Sequence, residues 1–254
     1  MVADTRRDGI LDTLRRQGGY AAIEELAAGL SVTPQTIRRD VSLLAGEGLL
    51  RRHHGGASLP TSIANTDYGL RHTESADAKA RIARAAASLI PDGSSLFLTL
   101  GTTVEATAAA LAETHRDLVV VTNSSAAARI LGNGRGMRIH LLGGAWQPRN
   151  SGVAGTTTAE MAARWHCDTL VTGTGGIAAD GWLLDYHEAE VAVARAMLDA
   201  SGRVIVVADA TKLHRTAPCR MLRPTKGAAI VTDAAPPQAH RRRWRQAGVT
   251  VTVA

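Results

Sequence analysis

Aromatic residues are scarce in this sequence: one phenylalanine, three tyrosines and four tryptophans among 254 residues. That scarcity excludes the stacking platform on which successive bases of a single-stranded nucleic acid lie. The two cysteines, Cys167 and Cys219, have no metal-type spacing and allow at most one disulfide. Reduced thiols in a cytoplasmic protein are the expectation. Lysine is rare too: Lys79, Lys212 and Lys226 stand against a background of arginine, so a lysine placed in a pocket carries unusual weight. No apolar run approaches the ~20 residues that span a bilayer. The N-terminus, with Asp4, Arg6, Arg7 and Asp8, lacks the apolar centre of a signal peptide. A membrane partner, a cofactor and a resident metal are therefore not expected. The formal net charge of +6 permits an anionic partner without naming one, since acids and bases nearly balance over residues 1–58 and local clustering matters more.

The strongest pattern is Ser31-Val-Thr-Pro-Gln-Thr-Ile-Arg-Arg-Asp40, followed by Arg51-Arg-His-His-Gly-Gly-Ala57. Thr33 suits an N-cap, because its hydroxyl can accept from an otherwise unpaired backbone N–H. Pro34 falls at the first helical position, where its missing donor is harmless. Ile37, Val41 and Leu44 recur at helical spacing and form the buried stripe. Gln35, Thr36, Arg38 and Arg39 lie mainly off that stripe near the helix start, where a recognition helix presents residues to base edges. Upstream, Ile10, Leu11 and Leu14 mark a first helix that stops at Gly18-Gly19, and Ile23, Leu26 and Ala27 mark a short second one. Two helices joined by a tight Gly-containing turn make a helix-turn-helix. Leu49 to Gly56 reads as a strand entering a turn, a wing that brings Arg52, His53 and His54 near phosphate.

Residues 6–57 resemble the DeoR-type winged helix-turn-helix, whose signature runs roughly Val-Ser-x-x-Thr-Ile-Arg-Arg-Asp-Leu and then Arg-x-His-Gly-Gly-Ala. The matching residues are Val32, Thr33, Thr36, Ile37, Arg38, Arg39, Asp40 and Val41, then Arg52, His54, Gly55, Gly56 and Ala57. The resemblance implies duplex DNA as partner, with Thr33, Gln35, Thr36, Arg38, Arg39, Arg52 and His54 as its contacts.

Residues 58–73 have loop composition and are taken as a linker between a DNA-binding domain, 1–57, and a larger domain, 74–254. In the larger domain short Val/Leu-rich strands alternate with helices: Ser95–Leu100, Leu118–Thr122, Arg138–Leu142, Thr169–Gly173, Val204–Ala208, Ala228–Thr232 and Val249–Val253. Such alternation indicates an α/β fold with a mainly parallel sheet covered on both faces. Gly101-Thr102-Thr103 and Thr122-Asn123-Ser124 lead from strands into helices, and such turns aim backbone N–H groups and a helix's positive end at an anion. They gather at the carboxyl ends of the strands, where open α/β sheets bind ligands.

The resemblance continues through this half, whose DeoR-type counterpart looks like the sugar-phosphate isomerase and CoA-transferase fold. It implies a phosphorylated sugar or related metabolite as effector. Lys79, Lys212 and Asp209 then become candidate ligands, with Gly101, Thr102, Thr103, Asn123, Ser124, Gly143 and Gly144 as the cradle. Thr99 and Gly175 stand where the family often carries Asp and a polar or acidic residue, which implies a change in the hydroxyls read. The whole pattern implies a sequence-specific regulator, a repressor released by its effector and working as a homodimer or homotetramer on repeated half-sites.

Other constellations read as structural. Asp185, His187, Glu188 and Glu190 suit a solvated loop entering a helix, with one residue closing the pocket, because Glu188 and Glu190 face different sides. Asp209 and Lys212 would serve acid–base chemistry in an isomerase-like or transferase-like enzyme bearing a DNA-binding head. The attached DNA module favours Lys212 as a simple phosphate-binding charge instead. Arg241-Arg-Arg-Trp-Arg245 reads as a terminal surface helix packed through Trp244, with phosphate contact, as in a second DNA contact, or subunit contact as the lesser alternatives. Trp146 either covers the pocket or meets another subunit.

Overall fold

The computed structural model describes residues 3–16, 20–53, 55–59 and 68–254, and the chain divides into two compact units between Glu74 and Ser75. The first unit contains α1 (Ala3–Arg16), β1 (Tyr20–Ala22), α2 (Ile23–Gly29), α3 (Pro34–Gly46), β2 (Arg51–His53), β3 (Gly56–Ser58) and α4 (Tyr68–Thr73). Ile10 and Leu14 of α1, Ile23 and Leu26 of α2, and Ile37, Val41 and Leu44 of α3 close one small core. The three short strands form an antiparallel sheet in the order β1-β3-β2. This is the winged arrangement, with a first strand, β1, too short to announce itself by period. His54 lies outside the described residues. Ser58 belongs to β3 and residues 68–73 are helical, so the stretch read as a loop is partly structured. The helix is supported by local pairs that composition hides: Tyr68 and His72 meet edge to face at 5.5 Å, the i,i+4 spacing that stabilises a helix.

The second unit continues with α5 (Ala76–Ala87), β4 (Ser95–Leu98), α6 (Thr102–Thr114), β5 (Val119–Thr122), α7 (Ser125–Leu131) and β6 (Arg138–Leu141). A hairpin of β7 (Ala145–Gln147) and β8 (Gly152–Ala154) precedes α8 (Thr156–Ala162) and β9 (Cys167–Thr172). Then come β10 (Gly176–Ile177), β11 (Leu183–Asp185), α9 (Glu188–Asp199), β12 (Ser201–Val207), β13 (Cys219–Leu222), β14 (Ala229–Thr232), α10 (Gln238–Gln246) and β15 (Thr250–Val253). Seven strands form one sheet in the order β15-β14-β12-β9-β4-β5-β6, every neighbouring pair parallel. A small antiparallel sheet, β10-β11-β13, sits beside it.

Alternating side chains of the strands face opposite ways. Leu96, Leu98 and Val120 pack with Ile82, Ala86, Val104 and Leu111 on the α5–α6–α7 face. Phe97, Val121, Leu170 and Val206 pack with Val193, Met197 and Trp244 on the other. Both faces are covered, which is why the strands read as near-continuous apolar runs. At the amino ends of the central strands, Ser95 N and Oγ donate to Asp168 Oδ2 at 2.8 and 2.7 Å. Those bonds, the backbone one first, hold the Asp168 carboxyl below its usual range. Burial, assisted by the charge of Asp168, pushes the neighbouring Cys167 thiol up to about 11, so it behaves as a core residue. Both cysteines are free thiols. Among the described residues no helix is long and apolar enough to cross a membrane.

The chain lays down β4, moves outward through β5 and β6, then returns to place β9 on the other side of β4. The order reverses between β4 and β9. Connections leaving their carboxyl ends therefore turn to opposite faces of the sheet and leave a crevice, the position where doubly wound sheets hold ligands.

Candidate DNA-binding face and effector cleft

In the first unit the start of α3 is built as its sequence requires. Thr33 is extended and its Oγ accepts from Thr36 N at 3.3 Å. The Thr33 and Thr36 hydroxyls are 2.9 Å apart. Gln35, Arg38 and Arg39 are exposed, and Thr36 is half-buried. Arg39 lines a concavity together with Thr33, Gln35, Thr36 and two residues of α1, Arg6 and Arg7. Arg38 turns to the opposite flank, where its guanidinium lies 3.4 Å from Glu24. The two adjacent arginines therefore serve different edges of the helix.

Sequence reasoning missed what anchors this surface. Asp40 falls three residues after Ile37, on the buried stripe, and is 3% exposed. Its carboxylate accepts from Arg6 Nε at 2.5 Å and Nη2 at 3.2 Å, with Arg7 Nε at 3.7 Å. A two-pronged guanidinium–carboxylate pair fixes orientation as well as proximity, so α1's basic start is held beside the recognition helix. The partners are 34 positions apart, and no local pattern announces them. On the wing, Arg52 Nη1 donates to Ser42 Oγ at 3.3 Å, and that hydroxyl donates to the Arg38 carbonyl at 2.8 Å. The wing's arginine is thereby strapped to α3. His53, expected near phosphate, turns inward: its Nε2 is 2.8 Å from Ser58 Oγ, and its ring meets Tyr20 edge to face at 5.9 Å. A side chain spent on cross-strand packing is not available to a phosphate.

In the second unit a small cleft opens at the switch point, lined by Thr99 and Leu100 after β4 and by Thr172 and Gly173 at the end of β9. Thr99 Oγ1 donates to Thr172 Oγ1 at 3.1 Å, linking the two strands with a neutral contact. Asn123, after β5, forms another wall. Its Nδ2 donates to the Val153 carbonyl at 2.8 Å, which fixes the orientation of the amide. Its Oδ1 is buried and without a hydrogen-bond partner. Opposite stand Asp185 from β11 and Glu190 from the first turn of α9, with Met221 of β13. Glu190 Oε1 accepts from Asn150 Nδ2. Arg195 ties α9 to β13, its Nε donating to the Met221 carbonyl at 2.9 Å.

The cleft's side-chain walls are thus rich in acceptors. The donors lie next to it, at the start of α6. Gly101 has φ 134°, a conformation that essentially only glycine adopts, and it delivers the chain into a 13-residue helix. Thr102 and Thr103 are buried behind it, and so is Glu105, in the same turn. A buried carboxylate there weakens the positive end of the helix, so an anion at this turn requires cationic help. Lys79 is 6% exposed on α5. That helix runs against the strands: Arg81 Nε reaches the Ala254 carbonyl beyond β15, while Arg203, at the start of β12, reaches the Leu89 carbonyl. Lys79 therefore stands toward the carboxyl ends of the strands.

Residues 6–63 match the DeoR-like helix-turn-helix domain, and residues 74–234 match the DeoR C terminal sensor domain. The chain belongs to the DeoR family of transcriptional regulators. The regulator is 41% identical over 237 residues to the glycerol-3-phosphate regulon repressor of Escherichia coli K12, covering 93% of each chain. It is 37% identical over 251 residues to the HTH-type transcriptional repressor CsqR of the same organism, covering 99% of this chain and 95% of that one. Among solved structures, ribose 5-phosphate isomerase A of Methanocaldococcus jannaschii aligns at 15% identity and a TM-score of 0.41, over 55% of each chain.

Of the residues singled out from the sequence for the effector, Asn123 lines the cleft itself. Ser124 caps α7, its Oγ accepting from Ala127 N at 3.1 Å. Asp209 is buried and caps a short 3₁₀ turn, accepting from Thr211 N at 3.0 Å, and Lys212 sits half-buried in that turn. Gly143 and Gly144 fall outside the lining, and packing accounts for the second of them. A Cβ on Gly144 would lie 1.9 Å from Thr158 Oγ1, which donates to the Gly143 carbonyl at 2.9 Å. Gly175 has a similar origin, since a Cβ there would stand 2.8 Å from the Tyr186 ring. Asp185 and Glu190 both reach the cleft, where the sequence suggested one closing residue. The signal available was Glu190 at the start of a helix, one turn before apolar Ala194, which shares its wall. Among the described residues no group of His, Cys, Asp and Glu is placed to hold a metal.

Proposed function

We propose that this DeoR-family regulator is a repressor whose grip on its operator is released by a small phosphorylated polyol or sugar at the switch-point cleft. The observation that carries the effector reading is the buried, unpartnered Oδ1 of Asn123 in the same cleft as Asp185 and Glu190. That one unpartnered amide oxygen calls for a ligand that presents a hydroxyl donor. Its phosphate is assigned to the start of α6 at Gly101, Thr102 and Thr103, with Lys79 and Lys212 supplying positive charge. The name of the glycerol-3-phosphate regulon repressor makes glycerol 3-phosphate the first compound to test. The engagement of Asp209 as a cap supports sensing rather than proton transfer.

On DNA, Gln35, Thr36 and Arg39 read base edges, Arg38 and Arg52 hold flanking phosphates, and Arg6 and Arg7 add a basic edge. Affinity comes from phosphate contacts and sequence choice from α3. One such module offers little surface, so a cytoplasmic homodimer or homotetramer spans repeated half-sites. The test is competition between the DNA upstream of the protein's own and neighbouring genes and random duplex, at physiological salt. A specific complex dissolved by glycerol 3-phosphate or another sugar phosphate supports the proposal. Equal competition by random duplex overturns the operator reading, and conversion of the compound to product overturns the sensor reading.

A further inference from the structure

The arginine-rich run near the C-terminus forms α10, and it leaves a second concavity that sensing at the switch point does not use. Trp244 is 1% exposed and is among the largest buried side chains. Its Nε1 nevertheless has no hydrogen-bond partner, and neither does Arg243 Nε, which is buried beside it. Buried N–H groups almost always find an acceptor. Two vacant donors on adjacent residues therefore point to a ligand that brings acceptors with it. Both residues line an open cleft of about 390 Å³, together with Arg223, Thr225 and Gln246. Gly181 forms the facing edge. A Cβ placed there would stand 2.8 Å from Arg243 Cδ and in ordinary contact, 3.5 Å, with Trp244 Nε1, so a larger residue would crowd the arginine.

No carboxylate lines this cleft. Asp180, beside Gly181 in sequence, is taken up by Arg220 Nη2 at 3.2 Å and by Trp182 N at 3.3 Å. Planar guanidinium forks match the oxygens of a phosphoryl group, and a fixed indole N–H adds direction. We propose that the cleft between α10 and the segment after β13 binds the phosphoryl group of a small metabolite, at a site separate from the switch-point cleft. The two sites share the small sheet: Met221 lines one and Arg223, two residues on, lines the other.

The test follows the indole N–H signals of the full-length, nitrogen-15-labelled protein during titration with inorganic phosphate, chloride holding the ionic strength constant. Trp146→Phe, Trp165→Phe and Trp182→Phe assign the Trp244 signal by elimination, without disturbing a core residue. The expected result is a saturable shift of that signal, with half-saturation raised about tenfold or more in Arg223→Ala, the loss of one charge-assisted contact. Lys212→Ala, which removes a positive charge assigned to the switch-point phosphate, leaves the curve unchanged. A signal that stays fixed, or drifts equally with chloride, overturns the proposal. So does a shift abolished by Lys212→Ala, which would place the event at the switch point, or one produced by duplex DNA and not by phosphate.

Discussion

Replacing Asn123 with alanine separates what the cleft does for its ligand from what it does for the fold. The Asn123 amide donates to the Val153 carbonyl at 2.8 Å, while its Oδ1 is buried and unpaired. An ordinary hydrogen bond contributes about 1 kcal/mol net, and an unpaired buried acceptor costs about 1–3 kcal/mol. Truncation removes both. The lost bond and the relieved acceptor offset one another, and the unfolding free energy should change by no more than about 1 kcal/mol. Ligand binding has no such offset. A ligand hydroxyl that donated to Oδ1 is left buried without an acceptor, a loss of about 1–3 kcal/mol, or roughly five- to 150-fold in dissociation constant. The assay pairs thermal unfolding with calorimetric titration of glycerol 3-phosphate, or of whichever sugar phosphate releases the operator. Near-native stability with binding weakened at least fivefold is expected. A variant that binds effector normally would refute the assignment of Asn123, and one that unfolds readily would show that the amide is there for β8.

Other expectations address the DNA face and the sheet. Arg39→Ala and Arg38→Ala should each lower operator affinity by about 10- to 150-fold, the value of a good base or charged contact, with effector affinity unchanged; Arg39→Ala should also relax sequence preference, as competition with single-base operator variants would reveal. Arg7→Ala should weaken all duplexes alike and reduce the salt dependence by about one unit of slope; an unaltered slope would remove α1 from the interface. Ser95→Ala should lower the melting temperature at neutral pH. The Asp168 carboxyl titrates below its usual range because Ser95 bonds its charged form, so that stabilisation is present above the unfolded-state value, about 3.9, and is lost as pH falls through the lower folded value. The gap between variant and parent should therefore narrow in acid, keeping the part due to the Asp168 N bond to Ser95 Oγ at 2.9 Å, and melting curves with a pH-independent gap would contradict the assignment.

The DNA-binding helix was legible because its signals are local: a cap at Thr33, proline at the first position and a stripe at helical spacing. The sheet was legible because strands buried on both faces are short apolar runs. What escaped depends on distance along the chain. The Arg6–Asp40 pair joins two helices, and Asp40 in the sequence looks like one more surface charge beside Arg39. Strands of two or three residues, such as β10 and β7, carry too few positions to show a period. The cleft was legible in location, since turns after parallel strands gather at one end, but not in composition. Asp185 and Glu190 reach it through the small sheet and α9, whose placement no motif specifies. Conversely, Gly144 looked like part of a phosphate cradle, whereas its proximity to Thr158 is sufficient reason for glycine.

The most direct test of a repressor released through the switch-point cleft is the affinity of the effector for the protein alone and for the protein saturated with operator. Two ligands that favour different states must weaken each other by the same factor. Effector affinity should fall on operator binding by the factor by which effector lowers operator affinity, and Asn123→Ala should shift both effector titrations together. An effector that binds free and operator-bound protein equally well would contradict the account, since equal affinity for both states moves neither.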